Sequence, residues 1–297
     1  MTERPSVAFL TLGCKVNQYD ADAMRAVLDY GGLRVCDAQD RADVTLLLSP
    51  GREAHSFEPT PLDAVTISEA DVFLYNGGEG EYWVESMLDA AGEHIAVASR
   101  MMDYVDALNE EYVEGMQGAD GHDHDHEHGS HDDHDHDHEE DEHDSDEIEY
   151  DEHIWTSPKN AVVLCRAVCD AICRADAENA AFYRANCDDY CAQLEDLDAR
   201  FAALCESAPR RLLIFADRFP MLYFCREFGL DYRAAFHGCS GDTEPSLATI
   251  KFLIDKVEDE GISVVYTIDF GTKKVAAVVS ECTGAAVDTL YSMQTVS

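Results

Sequence analysis

Short apolar runs rich in β-branched residues alternate along this chain with longer stretches in which apolar positions recur every three or four residues. The short runs predict strands over 7–12, 33–36, 44–48, 72–75, 95–98, 212–216, 232–236, 264–268 and 287–291. The helical spacing predicts helices over 20–30 with Asp20 as cap, and over 61–69, 81–91, 158–174, 219–228, 246–259 and 273–283. One pattern is much longer. From Asp176 to about Glu206, the residues Phe182, Cys187, Tyr190, Leu194, Leu197, Phe201 and Leu204 keep helical register until Pro209 ends it. At ~1.5 Å per residue, ~30 residues span ~45 Å, more than either flanking unit needs. Strands alternating with helices give an α/β fold with parallel sheets, and the long helix reads as a strut joining two lobes.

Length agrees with that division, since 297 residues suggest two compact units. No stretch reaches the ~20 apolar residues of a membrane span. Charge changes the picture more. With 21 Lys+Arg against 61 Asp+Glu the net charge is −40, a field that repels phosphate backbones and anionic lipid and excludes nucleic acid as a partner. Cations are the natural ligands.

The acid is concentrated. Between Arg100 and Lys159 there is no Lys or Arg, and residues 120–152 hold 18 Asp/Glu. The same stretch carries nine of the 13 histidines, His122, His124, His126, His128, His131, His134, His136, His138 and His143. Without apolar residues to bury, and self-repelling, residues 118–149 are expected to form a disordered loop. Alternating His-Asp dipeptides present many imidazoles, so weak, multivalent metal binding near pH 7 follows from composition.

The 11 cysteines include no C-x-x-C pair, so their spacing indicates neither a zinc ribbon nor an iron–sulfur framework. Cys165, Cys169 and Cys173 share one helical face, as do Cys187 and Cys191, and read as small apolar core residues.

Three segments resemble a known family. ADVTLLLSPGREAHSFEPTPLDAVTISEADVFLYNGG, DEHIWTSPKNA directly after the His-rich insert, and GCSGDTEPSLATIKFLIDKV are similar to the metal-binding receptors of zinc and manganese ABC importers, over about residues 42–297. The resemblance implies two Rossmann-like lobes joined by a rigid helix, with one metal ion in the cleft between them. It implies no enzymatic activity. The expected organisation is a lobe over 42–175, a linking helix over 176–208 and a second lobe over 209–297.

His55 and His153 match the family's first two ligands, and both precede helices at the carboxyl edge of a parallel sheet, where ligands bind in such folds. For the third ligand, counting back from Gly229–Leu230 gives Arg218, which cannot coordinate a cation. Asp217 beside it and His237 after the next strand are the two alternatives. Asp269, directly after a late strand, matches the fourth. Neutral imidazole suits Zn²⁺, while the carboxylates also admit Mn²⁺. The implied partner is the membrane permease of the importer, the expected state a monomer. A cytosolic zinc buffer acting through the His/Asp-rich loop is the rival reading.

Residues 1–41 resemble a different family. SVAFLTLGCKVNQYDADAMRAVLDYGGLRVCDAQDRADV is similar to the opening of radical S-adenosylmethionine tRNA methylthiotransferases, with Cys14 at a cluster position. The cysteine triad of that chemistry is absent from the sequence, and one thiolate holds no cluster. The segment is expected to offer a strand and a helix to the first lobe. Its apolar run is short for a secretion signal. The family implies an extracytoplasmic, membrane-anchored protein, whereas this sequence as written is expected to stay in the cytoplasm.

Overall fold

The computed structural model of the chain describes the backbone of residues 6–9, 34–37 and 44–46, and residues 57–91, 95–116, 149–240, 244–269 and 271–293 with their side chains. The helix expected over 20–30 and the His-rich stretch expected to be disordered lie outside the described residues, save Glu149 at its end.

The molecule is a two-lobed α/β protein whose paired strands are all parallel among the described residues. In the first lobe β1 (Ser6–Phe9) runs between β2 (Arg34–Asp37) and β3 (Val44–Leu46), with Val7 level with Val35 on one side and Val44 on the other. β4 (Val72–Tyr75) pairs with β5 (Val97–Arg100). Helix α1 (Pro61–Ser68) opens with a reciprocal cap in which Thr60 and Asp63 exchange hydrogen bonds, and α2 (Trp83–Ala91) packs beside it. Ile67, Phe73, Trp83 and Val84 form their shared core.

The second lobe is one sheet in the order β7-β6-β8-β9, from β6 (Leu212–Phe219), β7 (Asp231–His237), β8 (Val264–Ile268) and β9 (Ala286–Leu290). Both faces are buried, as a parallel sheet requires. Along β6, Ile214 and Ala216 enter a core with α6 (Leu247–Asp259) and α7 (Lys274–Thr283), while Phe215 and Phe219 enter the opposite one with α5 (Leu222–Phe228). The helix expected over 219–228 starts later, because β6 stays paired to the end, with Phe219 level with His237. Pro220, lacking an N–H, stops the strand before the helix opens at Leu222. α5 ends at Gly229, whose φ of 62° is left-handed and favours glycine.

Between the lobes, α3 (Pro158–Ala175) and α4 (Ala180–Ser207) form an antiparallel hairpin. The 28 residues of α4 make it ~42 Å long. α3 packs on β4 and β5, whereas Phe201 of α4 reaches Phe224 and Phe228 of α5 with ring centroids 5.0 and 5.8 Å away. The hairpin therefore touches both lobes. A second join is made by residues 105–116, which leave β5 and lay Leu108, Val113 and Met116 against the α5 face of the second sheet. Tyr223 of α5 ties this segment down: its hydroxyl donates to the Asp151 carbonyl at 2.8 Å and accepts from the Leu108 N–H at 3.0 Å. Burial pushes that phenol up to about 12, so it remains a donor at all ordinary pH.

Tyr223→Phe would leave two buried backbone groups unpaired. It is expected to destabilise the protein by about 1–3 kcal/mol, read as a lower urea midpoint with unchanged slope; an unaltered midpoint would show that the lobes are held without this tie.

Candidate metal centre

His153 stands at the entrance to α3. Its segment makes one tight turn (Ile154–Thr156) before Ser157 caps the helix, accepting from the Asn160 N–H at 3.1 Å. Asp151, two residues earlier, turns its carboxylate back onto this histidine. Oδ1 accepts from the His153 backbone N–H at 2.8 Å and lies 3.1 Å from the ring Nδ1. Both side chains are only 1% exposed. A carboxylate at Nδ1 makes that nitrogen the N–H and puts the lone pair on Nε2, the arrangement found in metal-binding histidines. The other carboxylate oxygen, Oδ2, is buried without a hydrogen-bond partner among the described residues.

The second lobe meets this pair at Gly238. A Cβ there would come within 3.1 Å of both Asp151 Oδ2 and His153 Cε1, and within 2.9 Å of the Phe219 carbonyl oxygen. Only glycine allows the end of β7 so close. His237, the preceding residue, has Nδ1 3.6 Å from Glu110 Oε1, and its ring lies 5.1 Å from that of Tyr112. Glu110 is buried and also accepts the Cys239 N–H at 2.9 Å. Burial alone would raise its carboxyl, but the neighbouring His237 imidazole and the hydrogen bond from Cys239 outweigh this and hold it below the usual range.

Asp217 and Asp269 lie farther along the same carboxyl edge. Asp217 sits where the β6–β7 register shifts; its Oδ1 accepts the Arg218 N–H at 2.9 Å and its Oδ2 the Ile268 N–H at 3.3 Å, filling the space that a side chain on Gly271 would need. Asp269 follows β8 and accepts the Ser292 N–H at 3.0 Å. Arg218 turns its guanidinium toward the Ser240 carbonyl, 3.5 Å away. His237, Asp217 and Asp269 thus lie along the second sheet's carboxyl edge and His153 approaches it at Gly238, although no three of them bring ligand atoms within 4.8 Å of one another. His55 lies outside the described residues.

Acid surrounds the edge. Glu81 accepts the Gly77 N–H at 2.6 Å and Glu152 the Gly80 N–H at 2.7 Å. Burial first, then the nearby Glu152, raises the Glu81 carboxyl against the pull of its backbone donor. Glu149 is raised as well, by burial and by Glu79, Glu110 and Glu152, against the opposing charge of His237. Crowded carboxylates that resist ionising together suit a site that receives a cation.

The stem of the His-rich insert also stands here. Asn109 and Tyr150 form an antiparallel bridge, Glu110 N–H donates to Glu149 O at 2.8 Å, and Asp151 N–H donates to Leu108 O at 2.9 Å. Sequence reasoning missed Asp151, Glu110 and Gly238. Asp151 had a visible signal, an Asp-x-His spacing inside the DEHIW segment; Glu110 had none, because its neighbours come from β7.

A carboxyl raised in the folded state contributes stability that is present in acid and lost as pH rises through its folded value. Glu81→Gln keeps an acceptor for Gly77 and removes the charge, so the variant should match the parent at low pH and exceed it in stability at neutral pH. Melting curves across pH 3–8 check the sign.

Comparison with known proteins places these features among relatives. A family model described as zinc-uptake complex component A, periplasmic, matches residues 37–297, and a model of an uncharacterised protein family matches residues 6–50. The high-affinity zinc uptake system protein ZnuA of Bacillus subtilis is 29% identical over 262 residues, covering 87% of this chain and 74% of that protein. The zinc-binding lipoprotein AdcA of Streptococcus pneumoniae is 26% identical over 88% of this chain, which spans only 47% of AdcA. A crystal structure of ZnuA superposes with a TM-score of 0.65 at 18% identity, covering 99% of this chain and 93% of the other. A manganese-bound periplasmic metal-binding protein from Candidatus Liberibacter asiaticus gives 0.60 at 17% identity, covering 97% and 89%. These two likenesses show the fold.

Proposed function

This chain belongs to the periplasmic zinc-uptake component A family of metal-binding receptors for ABC importers, and we propose that it captures one zinc ion at the carboxyl edge described above and passes it to a membrane permease. The observation that carries the site is the buried Asp151–His153 pair. The Asp151 carboxylate at Nδ1 fixes the ring and makes Nε2 the nitrogen that would bind the ion, which lowers the ordering cost of binding.

His55 and His153 are the proposed imidazole ligands, with Asp269 as carboxylate and either Asp217 or His237 completing the set. Two imidazoles with carboxylates fit Zn²⁺ and leave Mn²⁺ as a weaker competitor. Asp151 holds the ring, and the surrounding glutamates raise the local cation concentration. Release would need the two sides of the edge to part, since ligands are drawn from segments on both lobes. The histidines of the insert are proposed to gather zinc beside this site at lower affinity.

Calorimetric titration with Zn²⁺ tests the assignment. His153→Ala and His55→Ala should each abolish the single tight site while the far-ultraviolet spectrum stays unchanged, and Asp151→Asn should weaken it about 10–100-fold. Parental affinity in either His variant would remove that residue from the ligand set.

Deleting residues 117–148 separates receptor from buffer. The receptor reading expects the weak sites to vanish and the tight one to stay; loss of all zinc binding with the insert would favour a buffer.

A further inference from the structure

The α3–α4 hairpin places thiols face to face. Its contacts run antiparallel, with the Cys173 thiol donating to the Ala180 carbonyl at 3.7 Å, Cys187 to the Cys165 carbonyl at 3.7 Å, and Cys191 to the Val162 carbonyl at 3.9 Å. This register sets Cys165 Sγ 3.7 Å from Cys187 Sγ and Cys187 Sγ 3.8 Å from Cys191 Sγ, with all three sulfurs within 4.8 Å of one another. It is the one such group of three potential ligands among the described residues. Cys169, one turn along α3, interacts with Cys187 and lies 4.0 Å from Cys173.

We propose that Cys165, Cys187 and Cys191 form a second metal site, separate from the sheet-edge centre, for a soft closed-shell cation of the zinc, cadmium and copper(I) class. The geometry approaches that of a thiolate cage: sulfurs at ~2.3 Å from a tetrahedral ion stand ~3.8 Å apart, the separation found for the Cys165–Cys187 and Cys187–Cys191 pairs. Thiolate is the ligand type that selects these ions. Cys191 is fully buried while Cys165 and Cys187 are partly exposed, so the cage is open on one side only. Arg166 stands beside Cys191 and Cys187, paired with Asp188 at 3.2 Å and Glu195 at 3.8 Å. Cys169 is in reach as a fourth sulfur.

Filling the site exchanges three S–H protons for the ion: three thiols and M²⁺ give a tris-thiolate complex of charge −1 and three protons released to solvent. No oxidant or reductant takes part. Because protons are released, the exchange is favoured by rising pH.

Cadmium is the probe, because sulfur-to-cadmium charge transfer absorbs in the ultraviolet and imidazole or carboxylate ligation does not. Titrating the full chain with Cd²⁺ under reducing conditions should give this band. Cys187→Ser and Cys165→Ser should each remove it; Cys282→Ser, at an exposed and remote thiol, should leave it. The band should survive in His153→Ala, so that loss of the sheet-edge site and loss of the thiol site are told apart. Absence of the band in the reduced parent, or its persistence in both Cys187→Ser and Cys165→Ser with helicity intact, would overturn the proposal and leave the thiols as packing.

Discussion

Asp151 and His153 have side chains 1% exposed, and a carboxylate cannot be taken out of water at that depth unless its charge is met by donors. Oδ1 meets two donors, both from His153. The backbone around the pair is pinned from both lobes. Asn76, just past β4, donates to the Glu152 carbonyl at 2.8 Å, and Tyr223 of α5 donates to the Asp151 carbonyl. The cap of α3, the approach of Gly238 and the position of the insert stem all follow from this fixed stretch.

The parallel sheet explains why candidate ligands gather. Strands that run the same way deliver their carboxyl ends to one edge, so Asp217 near the end of β6, His237 at the end of β7 and Asp269 after β8 lie along it although 20 and more positions separate them in the chain. Near this edge stand Glu81 and Glu149, whose ionisation is opposed by burial and by neighbouring carboxylates. Trp155 adds a further clasp, its indole N–H donating to the Ser292 carbonyl at 2.9 Å, next to the residue whose N–H binds Asp269.

Periodicity made most elements legible because each depends on local pattern. Short apolar runs located β4 and β8 with the bounds observed, and the 3.6-residue rhythm located the long α4. The start of α5 was not legible, since Pro220 decides where β6 ends and pairing with His237 decides how far it runs. The two-lobed fold and His153 could be read from the DEHIW segment and its neighbours. Glu110 and Gly238 could not, because their importance comes from which chain segments approach them. The cysteines show the same division: their spacing on each helix was visible, while the hairpin register that brings Cys165 to Cys187 belongs to tertiary packing.

The bridge between Asn109 and Tyr150 gives the His-rich insert a closed base, with Met116 packed into the second lobe on one side and Glu149 bonded to Glu110 on the other. The entropy of closing a loop grows only logarithmically, about 0.6 kcal/mol for each doubling of length. Once the base is zipped, the number of residues beyond it is almost decoupled from the folding of the two lobes. That makes the position a natural graft point, where a lineage can lengthen, shorten or recompose its His-rich tract, or an experimenter can seat a reporter domain, while the scaffold underneath continues to assemble as before.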